Sequence, residues 1–426
     1  MIRAGYAASS QSWRTLAAGL AAALAMAGCA GTPTSPAPAT SAVLNPAGSA
    51  TSSQPTPTPN SNASPKPPPP LAFVATGSMH TARSGATATL LKSGKVLIVG
   101  GAQDHGGAVS VYASAELYDP ATGKFSTTGS MSSARSYATA ALLSDGRVLV
   151  TGGEGCSDRR SCDVAITSLQ RPVSAEIYDP TTGKFIATGS MTGASEQDAA
   201  MQLPDGRVML TGFNEWAEIY DPGSGKFVKT AKNVAFQAAA TLLSNGKVLL
   251  AGSHYATDHS AGGIYDPASG KLATVSLALP PGTKLVQYKG VAIPRPVPST
   301  ATLLNDGRVL FFEGGYLETY DPASGACADA GFISPAGGWV DVTATLMGDG
   351  RVLFKGGYLV DPETDEHVPT NTAVLYDPTG GPRRIGSAKV ARVRHTATLL
   401  ADGSVLIAGG QDDSGNPLAS AELLKP

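Results

Sequence analysis

Charge is scarce in this chain. Lys, Arg, Asp and Glu together make up 15% of its 426 residues, and the formal net charge is -2. With no basic excess to neutralise phosphates, a nucleic-acid footprint is excluded. Catalytic signatures are missing too: the sequence holds no Gly-x-Ser-x-Gly elbow, no phosphate-binding loop and no zinc-protease histidine pair. Nor is the N-terminal apolar run long enough to span a bilayer. It covers thirteen uncharged residues, Leu16 to Gly28, where a transmembrane helix needs about 20. What the chain has in plenty is glycine, 50 residues of it, and its composition argues against disorder throughout.

The first seventy residues divide in two. Arg3 and Arg14 supply a positive n-region, and the apolar run ends in Met26-Ala27-Gly28-Cys29. Residues 1–29 therefore read as a signal peptide that directs export. Small residues directly before a cysteine resemble a bacterial lipobox. That resemblance implies lipidation of Cys29 and a membrane tether through the lipid; the alternative is ordinary secretion, with Cys29 lost in the cleaved peptide. Residues 30–70 are Pro, Thr, Ser and Ala with almost no charge. Such a stretch buries too little apolar surface to offset its ordering entropy, so it reads as a disordered linker. Proline keeps it extended, holding the folded part off the outer face of the cell membrane or the outer membrane.

From residue 71 onward the chain repeats itself. One element begins at Leu90-Leu91-Lys92-Ser93-Gly94-Lys95-Val96-Leu97 and recurs from Leu142, Gln202, Leu242, Leu303, Leu346 and Leu399. Its Ser-Gly, Asp-Gly or Asn-Gly centre predicts a β-hairpin with a two-residue turn. Gly100-Gly101, Gly152-Gly153, Gly356-Gly357 and Gly409-Gly410 close the second strand in four copies, and Gly314-Gly315 does so one residue later. A second element carries Tyr-Asp-Pro at Tyr118, Tyr178, Tyr220, Tyr265, Tyr320 and Tyr376, followed by a glycine such as Gly123. Proline presets the first turn residue and the glycine takes a left-handed conformation, so this is another hairpin. Two hairpins per repeat, spaced 40 to 61 residues apart, predict an all-β, seven-bladed β-propeller of four-stranded antiparallel blades.

The Arg that precedes the Leu pair, the Gly-Gly pair and the Tyr-Asp-Pro turn resemble the kelch family, including the kelch-type propeller of galactose oxidase. The likeness covers residues 71–426. It departs at the final aromatic, where kelch repeats favour Trp and this chain has Phe125, Phe185, Phe227 and Leu272. The galactose oxidase likeness would imply a copper site of two Tyr, two His and a Cys–Tyr crosslink. No Tyr directly precedes any of the six histidines, and no carrier domain is expected after the repeats. No metal and no cofactor are therefore expected. His254 and His259 share a loop with Asp258, which reads as solvent-exposed.

The repeat also predicts how its ends meet. Glu422-Leu423-Leu424-Lys425-Pro426 matches Glu116–Pro120, so the last blade lacks an outer strand, and Leu71–Met79 matches outer strands of earlier blades. The N-terminal strand is expected to close the last blade. Long irregular segments, including 102–113, 154–173, 358–373 and 411–419, fall on one face, and that face is the candidate site. Residues approaching each first strand would ring its mouth. Arg83, Arg135 and Arg392 share one position, which Trp339 holds elsewhere; two residues later come Tyr137, Asp341 and Arg394, with His395 beside the last. Forked hydrogen bonds and stacking by such groups suit a carboxylate or a sugar. The recurring Arg reads more readily as an ion-pair partner of recurring Glu116, Glu176, Glu218, Glu318 and Glu422, which leaves the non-repeating Tyr137, Trp339, Asp341 and Arg394 as the better ligand candidates. Cys156 and Cys162, in the longest loop, are candidates for a disulfide.

The expected function is a surface-exposed, membrane-anchored module that binds a protein or glycan through its long-loop face as a monomer. No catalytic residue is nominated. The rival expectation is a carbohydrate-acting enzyme, an isomerase, lyase or oxidase, with its site at the channel mouth.

Overall fold

A computed structural model describes residues 71–426, apart from 106–107, 157–160, 166–167, 194–198, 212–215, 231–238, 252–260, 278–286, 289–290, 293–298, 335–337 and the side chains of 161–162, 261, 287–288 and 291–292. The expected signal peptide with Cys29, the expected linker, and His254 and His259 lie outside the described residues. Strands make up the described part, and no helix in it is long and apolar enough to cross a membrane.

The first sheet sets the pattern. Thr87–Leu90, Val96–Val99, Ser114–Asp119 and Lys124–Ser130 pair side by side and antiparallel. Six further four-stranded sheets follow, with innermost strands Thr139–Leu142, Ala199–Gln202, Ala239–Leu242, Thr300–Leu303, Thr343–Leu346 and Thr396–Leu399. The fourth strand of the last of these is Ala72–Ala75, from the start of the described chain. It pairs with Ala421–Lys425 in the register Ala72↔Lys425 to Ala75↔Glu422. The architecture is thus all-β and of the β-propeller kind.

The second strands explain why the sheets stack. Val96, Leu97, Ile98 and Val99 are all buried, unlike a strand with one wet face. Their side chains alternate: Val96 and Ile98 pack on Leu400, Leu406 and Leu423 of the seventh sheet, whereas Leu97 and Val99 pack on Val148 and Val150 of the second. Each consecutive pair of sheets shares such an apolar cluster. Every buried Val, Leu or Ile of this kind contributes about 1.5–3 kcal/mol.

Polar stitches repeat across the same seams. The Tyr118, Tyr178 and Tyr220 hydroxyls each lie 2.8 Å from a threonine of the preceding outer strand, Thr76, Thr128 and Thr188. Gly77 N donates to Gly123 O at 2.9 Å, as Gly129 does to Gly183. Ala72–Ala75 and its sequel therefore stand to the first sheet as the outer strands of the first and second sheets stand to the sheets that follow them.

Two expectations change. The first hairpin has a three-residue turn, because Leu91 N donates to Lys95 O and Gly94 N to Leu91 O, and of the turn residues only Gly94 takes a positive φ, 81°. A two-residue type I′ turn needs positive φ at both central positions, which Ser93 does not adopt. Three of the long segments, 102–113, 154–173 and 358–373, are also not irregular. Ala102–Asp104, Ala108–Tyr112 and Ser161–Ala165 form one added sheet, and Gly338–Val340, Tyr358–Val360 and His367–Pro369 form another. The Gly-Gly pairs allow this. Gly100 and Gly101 sit at φ 68° and 93°, turning the strand sharply out of its sheet. A Cβ on Gly100 would stand 2.2 Å from Arg135 O.

Cys156 is disulfide-bonded. The side chain of Cys162, its expected partner, lies outside the described residues. Cys327 is free, and burial, with the nearby Glu313 charge, pushes its thiol up to about 11. Only the thiolate reacts, so iodoacetamide at pH 8 should label Cys327 about a hundredfold more slowly in the folded protein than in urea. Equal rates in a stopped-time mass-spectrometric assay would show that the thiol is not masked.

Candidate functional site

The residues that approach each first strand divide into a buried layer and an open one. Arg83 belongs to the buried layer, at 1% exposure. Its five N–H groups are all used: Nε donates to Thr81 O, Nη1 to Gly100 O and Ser114 O, and Nη2 to Ser114 Oγ and Glu116. Arg392 repeats this arrangement with Gly409, Ser420 and Glu422. Arg135 keeps the bonds to Gly152 and Ser174, with Glu176 at 3.7 Å and its Nε without a partner. These guanidiniums hold the sheet together and offer a ligand no surface.

Trp339 is corrected in the same way. It is fully buried, and its Nε1 donates to Gly356 O at 2.6 Å, the carbonyl equivalent to the one that Arg83 bonds in the first sheet. Where the first, second and seventh sheets carry the Glu that pairs with this Arg, the sixth carries Val374, and Trp339 packs against it. An apolar pair has replaced a buried ion pair at no loss of the backbone contact. Trp339 cannot stack on a ligand. His395 is also buried, at 7% exposure.

The open layer lies two residues further on, and its backbone is unusual. Tyr137, Asp341 and Arg394 take φ of 53°, 59° and 55°, matching Gly85 at 61° in the first sheet. Such angles cost a non-glycine residue roughly 1–3 kcal/mol. What holds them is a link from sheet to sheet: Gly85 N donates to Arg394 O at 3.0 Å, and Tyr137 N to Gly85 O at 2.7 Å. The corresponding residues of the third, fourth and fifth sheets, Gln197, Gln237 and Pro298, lie outside the described residues.

Three side chains from this layer converge. Arg394 Nη1 donates to Gln411 Oε1 at 3.2 Å, its Nε stands 3.9 Å from Asp341 Oδ2, and its guanidinium carbon lies 5.9 Å from the Tyr137 ring centre. Tyr137 reaches that far because Gly85 stands between: a Cβ there would touch the Tyr137 ring at 3.0 Å. Sheets two, seven and six thus meet over the glycine of sheet one. Half of the Asp341 side chain is open to solvent, 51%, yet protein surrounds it closely. Both hold for a carboxylate in a narrow mouth, which water touches without bulk dielectric behind it. Desolvation accordingly raises its pKa, opposed by Arg394 and by His367 from the added sheet.

Sequence reasoning named Tyr137, Asp341 and Arg394 but not Gln411, His367 or Lys355, a wholly buried lysine beside His395. A second polar chain, on the other added sheet, runs from His105 Nε2 to Ser110 Oγ (3.0 Å) and on to Asp163 Oδ1. Here serine stands between histidine and carboxylate. A nucleophilic triad needs the imidazole in the middle, so this chain activates no hydroxyl.

No family model matches the chain, and no curated protein matches it. Among solved structures it is similar to a fungal alcohol oxidase of the AA5 family determined in complex with copper, with 16% identity, 83% of this chain and 76% of that chain covered, and a TM-score of 0.57. Among the described residues no three His, Cys, Asp or Glu side chains stand together. The buried His395 lies beside the cations Lys355 and Arg392, which oppose a further positive charge. In fold, the chain is similar to the galactose oxidase-like propellers.

Proposed function

We propose that the described residues form a closed seven-bladed propeller, exported and tethered by lipidated Cys29, that takes a glycan at the mouth formed by Tyr137, Asp341, Arg394 and Gln411. Closure is supported by the strand pairing of Ala72–Ala75 with Ala421–Lys425 and by the apolar seam between the seventh and first sheets. The glycan reading is carried by one observation. Three non-glycine residues from three sheets, each in a backbone conformation that costs energy, bring a carboxylate, a guanidinium and an aromatic ring to one point. Paired charges and a ring face are what hydroxyl-rich ligands need for forked hydrogen bonds and stacking.

A second reading is an enzyme acting on carbohydrate at the same mouth. The fold likeness favours it, since the similar structure is an oxidase, and none of the comparisons supports a pure binding module. Asp341, with its raised pKa, would serve as proton donor and Arg394 would steady developing negative charge.

A glycan array followed by calorimetry on the best hit tests the first reading. Asp341→Asn and Arg394→Gln should each weaken binding at least about tenfold, the loss of one charged hydrogen bond, with an unchanged melting temperature. Equal affinity in both variants would remove the mouth from consideration. Copper-loaded protein releasing peroxide from sugars or alcohols would decide for the oxidase.

A further inference from the structure

Two buried polar atoms beneath the mouth have no hydrogen-bond partner. Lys355 ends the second strand of the sixth sheet, is 0% exposed, and its Nζ is unbonded. His395, just before the first strand of the seventh sheet, has an unbonded Nδ1. Each lies within reach of the other's charge, yet no hydrogen bond joins them. The remaining charges at this seam, Arg392 and Glu422, bond each other at 3.0 Å.

Thr343 bears on which ring nitrogen carries the proton. Its hydroxyl stands 3.2 Å from both Lys355 O and His395 Nε2, and when it donates to the carbonyl it accepts from Nε2. His395 is then the Nε2–H tautomer, held neutral by desolvation and by the neighbouring Lys355 and Arg392, and Nδ1 presents a lone pair. The Arg392 carbonyl faces the ring as well and acts as a backbone hydrogen-bond acceptor that raises the ring's pKa, although no bond within hydrogen-bond geometry reaches Nδ1.

Lys355 offers protons and Nδ1 accepts one. An anion would meet the Nδ1 lone pair, and a cation would meet the amine. A hydroxyl satisfies both through one oxygen, accepting from Nζ and donating to Nδ1. The place is directly below the open layer: Arg394 precedes His395, and a Cβ on Gly357 would stand 2.9 Å from Asp341 O.

We infer that Lys355 and His395 form a subsite for a single hydroxyl group beneath the mouth, filled by a hydroxyl of the ligand that Asp341 and Arg394 hold above it, or by water. The ligand part rests on the glycan reading; the subsite does not. High-resolution crystals of the full chain test it, grown without additives and then soaked in ethylene glycol. An oxygen within hydrogen-bond distance of both nitrogens, lost in Lys355→Met, is the expected result. No such oxygen, or Nζ bonded straight to Nδ1, would overturn the subsite. Nitrogen-15 spectra of the histidines give a second check, since a proton on Nδ1 would also overturn it. Replacement of the oxygen by an ethylene glycol hydroxyl supports the ligand part, whereas water that stays in place overturns that part alone. A blank glycan array would leave the bridging oxygen where it is, so the two failures are distinguishable.

Discussion

Removal of residues 71–76 should abolish the single cooperative melting transition of this protein. The segment supplies the strand Ala72–Ala75, whose four register pairs cover the edge of Ala421–Lys425. It buries Leu71 and Phe73 against the cluster of Leu353, Leu375 and Leu424 between the sixth and seventh sheets. It also carries Thr76, which bonds Tyr118 of the first sheet. Losing it exposes the edge of Ala421–Lys425, which is paired with Ala72–Ala75 without a chain connection between them, so the seventh sheet should fray before the rest. Differential scanning calorimetry is expected to give a broadened transition lowered by about 10 °C or more, from several kcal/mol of lost packing and pairing. A sharp transition within about 2 °C of the intact protein would mean that these residues close nothing.

Most of the fold was legible because it rests on backbone requirements that leave residue-level marks. Each first turn needs one left-handed residue, and Gly94 or its counterpart supplies it every time. Each second strand is buried on both faces and is written as an apolar run such as Val96–Val99. The site was legible only in part. Tyr137, Asp341 and Arg394 stood out because they do not recur from repeat to repeat, and the structure brings them together. Trp339 stood out by the same criterion and is buried. The distinguishing signal was present elsewhere in the chain, at Val374, where the apolar residue that replaces the recurring Glu shows that the whole ion pair has been exchanged. Lys355 was passed over although it closes the run Val352-Leu353-Phe354, where burial is otherwise certain. His367 could not be placed, since its position depends on an added strand that no repeat predicts.

That exchange is itself testable, and it bears on which residues are free to serve a ligand. In the first sheet, Glu116→Val should cost about 3–5 kcal/mol, because it leaves the Arg83 guanidinium buried without its counter-charge. His80 N and Thr81 N lose the same carboxylate, but both residues reach solvent and recover partners there. Arg83→Trp made together with Glu116→Val copies the sixth sheet, where the indole Nε1 takes over the bond to the glycine carbonyl. The double variant should regain about 2 kcal/mol or more relative to Glu116→Val alone, as contacting residues that exchange together do. Urea unfolding of the four proteins of the cycle measures this directly. Costs that simply add would mean that Trp339 and Val374 are not a substitute for the ion pair. In that case the Arg83 layer would lose its purely structural reading, and ligand contact at that depth would have to be considered again.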